Sequence, residues 1–72
     1  MRIELSTRAA AGALADYLRR CECSVAFVND CTLDVSPPGP TRSDREAHIE
    51  IDAYLRVWLA MHPDDHVVLR RP

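Results

Sequence analysis

Three cysteines carry the chemistry most readily suspected in this chain of 72 residues. Cys21 and Cys23 flank Glu22, and Cys31 follows on the far side of an apolar segment. Two thiolates so close could hold a soft metal ion or form a strained disulfide. The spacing lacks the paired CxxC of a zinc ribbon. A strand of about six residues, roughly 20 Å long at ~3.3 Å per residue, separates Cys31 from the pair. Free cysteine commonly packs as a small hydrophobe. The expected reading is that Cys21 ends the apolar stripe of a helix and Cys23 begins the inward row of a strand.

A second constellation combines Cys31 with His62 and His66, and Asp30, Asp64 and Asp65 add oxygen donors. That is the composition of a metal site or of a nucleophile with its base. The strands that end there are two spacings apart, so their ends lie about 10 Å from one another. A solvated loop cluster is expected, with His62 half covered by its own helix. Arg70-Arg71 would depress a thiol pKa if they touched Cys21 or Cys23, but a frayed, charged terminus is the expectation. No bound metal or cofactor is expected.

The elements that must position these groups follow from a hydrophobic period that switches from two to helical and back. Arg2-Ile3-Glu4-Leu5 alternates as a half-buried strand, with Ile3 and Leu5 inward. Ser6 or Thr7 then caps a helix to about Arg20. Ala11, Leu14, Leu18 and Cys21 share its inner face, and Arg8, Gly12, Asp16 and Arg19 the opposite one. Cys23 to Val28 is a second strand and Thr32 to Val35 a third. Pro37-Pro38-Gly39-Pro40 makes a stiff connector. Ser43-Asp44-Arg45-Glu46 matches a capping box, opening a helix that Pro63 stops after His62. Its inward face is Ala47, Ile51, Tyr54, Leu55, Trp58 and Met61. His66 to Arg70 forms the last strand, with Val67 and Leu69 inward.

Register around Asn29-Asp30 is sensitive to loop length. A two-residue turn there would place Ala26 opposite Leu33, and so turn Val25 and Phe27 away from the face of Leu33 and Val35. One slip flips every side chain. A three-residue turn of Val28-Asn29-Asp30 or Asn29-Asp30-Cys31 restores parity. The choice between them decides whether Cys31 is core or loop tip.

The order strand, helix, strand, strand, helix, strand resembles the ferredoxin-like βαββαβ plan. The resemblance covers residues 1–72 as a single domain and implies an α+β two-layer sandwich. An antiparallel four-stranded sheet, in the order 4-1-3-2, would carry both helices on one face. Many activities share that architecture. Heavy-metal-associated domains have a CxxC in the first strand–helix loop, where this chain has Ser6-Thr7-Arg8. ACT-type ligand sensors typically have a glycine near that loop, and acylphosphatases an anion-cradling loop; neither feature is present. The chain also resembles short uncharacterised proteins of high-GC actinobacteria, consistent with nine basic residues that are all arginine. That resemblance carries no function.

A formal charge of −2 argues against a general binder of nucleic-acid backbone. The residues expected on the open sheet face are Arg2, Glu4, Ala26, Val28, Thr32, Asp34, Val68 and Arg70. They lack the aromatics that stack bases in RNA-recognition domains. No apolar run reaches the roughly 20 residues of a membrane span. Met1-Arg2-Ile3-Glu4 does not read as a signal peptide. A cytoplasmic protein with reduced thiols is expected.

One further pattern concerns association. Ile49, Ala53, Val57 and Ala60 form a second apolar stripe on the second helix, away from its core face. Either the first helix covers part of it, chiefly Val57, or it is a contact surface. The expectation is an interaction or dimerisation module, a homodimer or a small accessory to another protein. The rival is a thiol- or metal-binding protein. An enzyme is not expected, because the chain has no glycine-rich phosphate loop and no recognisable pair of catalytic carboxylates.

Overall fold

The computed structural model describes residues 1–39 and 43–70, and shows the α+β, ferredoxin-like arrangement. Strand β1 spans Arg2–Leu5, helix α1 Arg8–Arg20 and strand β2 Ser24–Asn29. Strand β3 spans Thr32–Ser36, helix α2 Asp44–Met61 and strand β4 Val67–Arg70. The sheet order is β2-β3-β1-β4, every neighbouring pair antiparallel, which leaves β2 and β4 as the two edges. Of the proline connector, Pro40 lies outside the described residues, as does Arg71 at the C-terminal end.

Each helix begins on an oxygen acceptor. Thr7 is the cap of α1, its hydroxyl accepting from the Ala10 N–H at 3.1 Å. Ser43 caps α2, accepting from the Glu46 N–H at 3.2 Å, and Asp44 and Glu46 in the first turn suit the helix dipole. The arginines Arg19 and Arg20 favour the C-terminal end of α1 in the same way.

The buried faces of both helices meet one face of the sheet. Ile3, Leu14, Leu18, Leu33, Val35, Ile51 and Trp58 are all less than 2% exposed. Ala10, Ala11 and Ala15 complete the buried face of α1. No polar or charged residue among those described is buried, so the interior is held by apolar packing alone.

Three expectations need correction. Met61 does not face inward but is 57% exposed, because α2 ends there and His62 instead folds back on the preceding turn. The parity between β2 and β3 is restored, with Val25 opposite Val35 and Phe27 opposite Leu33. A three-residue turn is not the device, since Asn29 pairs with Thr32 and only Asp30 and Cys31 lie between them. The extra residue sits inside the strand, where the register shifts between Phe27 and Asn29 and leaves Val28 as a bulge. The turn is held by the Asn29 side chain, which accepts from the Cys31 N–H at 3.0 Å. Cys31 is therefore a turn residue, half-buried.

The β2 edge is covered less than the alternation implies. Phe27 belongs to the inner row yet is 47% exposed. The flank of α1 over β2 is marked by Arg19, whose guanidinium reaches the Val25 carbonyl at 3.5 Å. Arg8, Gly12 and Ala15 share that flank by helical spacing. A Cβ placed on Gly12 would meet nothing within 4 Å, so the space beside the helix is open at that position.

Candidate functional site

The stripe on α2 is open to solvent. Ile49 is 59% and Val57 54% exposed, and Ala53 and Ala60 are exposed between and beyond them. Helix α1 therefore does not cover Val57, which decides one alternative left open by the sequence. Met61 lies one turn beyond Val57 and extends the apolar surface. Beside the stripe, Arg56 Nε pairs with Asp52 Oδ2 at 2.9 Å, one turn apart on the same helix. The main core residues Ile51, Leu55 and Trp58 occupy the opposite side of α2.

The Cys21-Glu22-Cys23 motif closes a helix. The Cys23 N–H donates to the Leu18 carbonyl and the Glu22 N–H to the Arg19 carbonyl, each at 3.0 Å. Glu22 has a φ of 66°, the left-handed conformation usually given to glycine. These two bonds and that conformation make a Schellman motif, in which Cys23 packs back toward Leu18. All three cysteines are free thiols, Cys23 buried and Cys21 half-buried.

The electrostatics at this end act mainly on Cys23. Burial pushes the Cys23 thiol up to about 11, with neighbouring Cys21 and Glu50 adding to the effect. Such a thiol stays protonated near neutral pH, whereas nucleophiles and metal ligands need the thiolate. Burial likewise raises the Tyr17 phenol, reinforced by Cys21, and the Tyr54 phenol, reinforced by Cys23 and Glu50. Tyr17, Cys21 and Tyr54 pack against the core that includes Cys23. Among the described residues no arginine lowers the Cys23 thiol, as contact with Arg70 would have done.

At the opposite end the suspected cluster is dispersed. Cys31 is held in the β2–β3 turn, and its carbonyl accepts from the Leu5 N–H at 2.8 Å. His62 stacks on Trp58 with ring centroids 4.2 Å apart and planes inclined by 18°. Its Nδ1 lies 3.0 Å from the Trp58 carbonyl oxygen, so the bond requires a proton on that nitrogen. His66 is exposed. Among the described residues, no three of His, Cys, Asp and Glu converge as metal ligands would.

The open face of the sheet bears the expected charges. Arg2 stands opposite Asp34 on one side and Arg70 on the other, with Glu4 one pair along opposite Thr32 and Val68. Arg70 pairs with Glu4, and the N-terminal ammonium pairs with Asp34 at 3.1 Å.

Val28 and Val68 are exposed on the open sheet face, as the alternation places them, whereas the exposure of Phe27 is not signalled by periodicity. No helix among the described residues is long and apolar enough to cross a membrane. Comparison with protein-family models, with curated proteins and with solved structures finds no match in any of the three.

Proposed function

We propose that this protein is an association module, working as a homodimer or as a small accessory to another protein, without catalysis of its own. The carrying observation is the pair Ile49 and Val57, both more than half exposed on one side of α2. A contiguous apolar surface rimmed by polar groups is the usual mark of a protein contact. Here Asp52 and Arg56 supply part of that rim. The small side chains of Ala53 and Ala60 would let a partner approach the helix closely. A chain this short gains stability from association that its own core is slow to supply. A formal charge of −2 favours a protein partner over a nucleic acid. Free thiols suit a cytoplasmic setting.

Val57→Asp in the full chain tests this reading by analytical ultracentrifugation together with circular dichroism. The variant is expected to keep its fold and to weaken association with its partner, whether a second copy or another protein. If Val57→Asp unfolds the chain, the stripe belongs to the core and the reading is wrong.

A further inference from the structure

We propose that the partner includes a second copy of this chain, joined edge to edge through antiparallel pairing of β2 with β2 about a two-fold axis at Ala26. The inference rests on the reading of the protein as an association module, and adds both the occupant and the seam.

Hydrogen bonds on the far side of β3 fix the orientation of β2. The Val35 N–H donates to the Met1 carbonyl at 2.7 Å, and the Val35 carbonyl accepts from the Met1 ammonium at 3.0 Å. Both backbone groups of Val35 are thus turned toward β1. Its partner on β2, Val25, is consequently a non-hydrogen-bonded pair, with its own N–H and carbonyl turned away from the sheet. Phe27, two residues on and opposite Leu33, repeats that orientation. At the open edge the Val25 carbonyl, among the described residues, meets only the Arg19 guanidinium, at 3.5 Å and exposed to solvent.

Those two residues fit a second copy of themselves. Pairing about Ala26 sets Val25 opposite the partner copy's Phe27 and Phe27 opposite the partner copy's Val25. Both pairs are hydrogen-bonded, giving four new backbone bonds. Ala26 then meets its own copy in a non-hydrogen-bonded pair, the type that brings side chains closest. A methyl group is well suited to that position. On the inner face the half-exposed Phe27 ring, which α1 leaves uncovered, packs against Val25 of the copy.

Composition separates this edge from the other one. Native edge strands are usually guarded by charges or proline. Ser24–Asn29 contains neither, whereas β4 carries Arg70 and follows Asp64, Asp65 and His66. An isologous contact also needs no charge complementarity, which an uncharged strand could not provide.

The test uses the full chain at micromolar concentrations, measured by sedimentation and native mass spectrometry. Wild-type protein is expected at twice the 8.1 kDa chain mass. Phe27→Lys and Val25→Pro are expected to shift it to a single chain while circular dichroism stays unchanged. Val25→Pro removes only the outward N–H, so it spares the bonds to β3. As a positive signal, Ala26→Cys in a Cys21→Ser, Cys31→Ser background should cross-link to its copy on oxidation. The expected Cα separation of about 4.5 Å lies within disulfide range. Wild-type protein at the mass of one chain overturns the seam, as does failure of Ala26→Cys to cross-link. A dimer split by Val57→Asp but untouched by both edge variants overturns the seam while the association reading stands. The reverse pattern supports the seam and leaves the α2 stripe as the surface for a partner other than the second copy.

Discussion

The Cys23 backbone N–H reaches back to the Leu18 carbonyl at 3.0 Å, and both residues are buried. That single bond turns a suggestive cysteine motif into the end of a helix. The residue between the cysteines bears the conformational cost, because a left-handed backbone crowds any Cβ by about 1–2 kcal/mol. Glu22→Gly should relieve it, less what glycine costs through the freer unfolded chain. A gain of up to about 1 kcal/mol is expected. For a chain of this size that would raise the Tm by roughly 4–8 °C in a calorimetric scan. No gain would mean that Glu22 makes compensating interactions.

Gly12 offers an independent test of the α1 flank. It lies in the middle of a helix, and the space around its missing Cβ is open. Gly12→Ala should stabilise by about 0.5–1 kcal/mol through helix propensity and reduced freedom of the unfolded chain. Chemical denaturation with an unchanged m-value checks it. A destabilised variant would show that the flank has less room than described.

The buried Cys23 thiol makes stability fall in alkali. Its folded value is raised from the ordinary 9.0 to about 11, so the folded chain keeps a proton that the unfolded chain gives up between those values. Stability is fully present below pH 9 and declines as pH rises through about 11, with a slope of at most about 1.4 kcal/mol per pH unit from this group. The raised phenols of Tyr17 and Tyr54 act in the same direction above their ordinary 10.0. Urea titrations at pH 8 and pH 10 should show the decline, and Cys23→Ala should reduce it. A flat profile in the native sequence contradicts the burial of this thiol.

Trp58 is the largest fully buried side chain and supports His62 by stacking. Trp58→Ala should cost about 3–5 kcal/mol, most of the stability such a small domain commands. His62→Ala removes only the stacked ring and the bond to the Trp58 carbonyl, and should cost about 1 kcal/mol. Thermal unfolding of the two variants, side by side, distinguishes core from cover. Equal losses would make His62 part of the core.

The sequence was most informative where period and punctuation agreed. Thr7 and Ser43 act as caps, Pro63 follows the end of α2, and the alternation of β1 and β3 places Ile3, Leu5, Leu33 and Val35 inside. The helix closure was hidden because Glu22 occupies a position where glycine is the usual signal. The bulge at Val28 was hidden because a loop and a bulge restore the same parity, and only the pairing of Asn29 with Thr32 tells them apart. Met61 fits the inner periodicity but sits at the last helical residue, where the chain no longer holds it against the sheet. At the suspected sites, residue type was legible but convergence was not. Cys31 is held in its turn and His62 against Trp58 by local contacts that neither composition nor spacing expresses.

Both helices lie on one face of the sheet, and antiparallel pairing at an edge preserves the faces. A sheet continued through β2 would therefore present two α2 stripes in the same direction from one rigid platform. Each stripe alone is narrow, but a target with two matching sites would bind the second as an intramolecular event at high effective concentration. Avidity of that kind can exceed the single-site affinity by about 10²–10⁴-fold without any new contact. Weak individual grip would then become selective for repeated or symmetric targets.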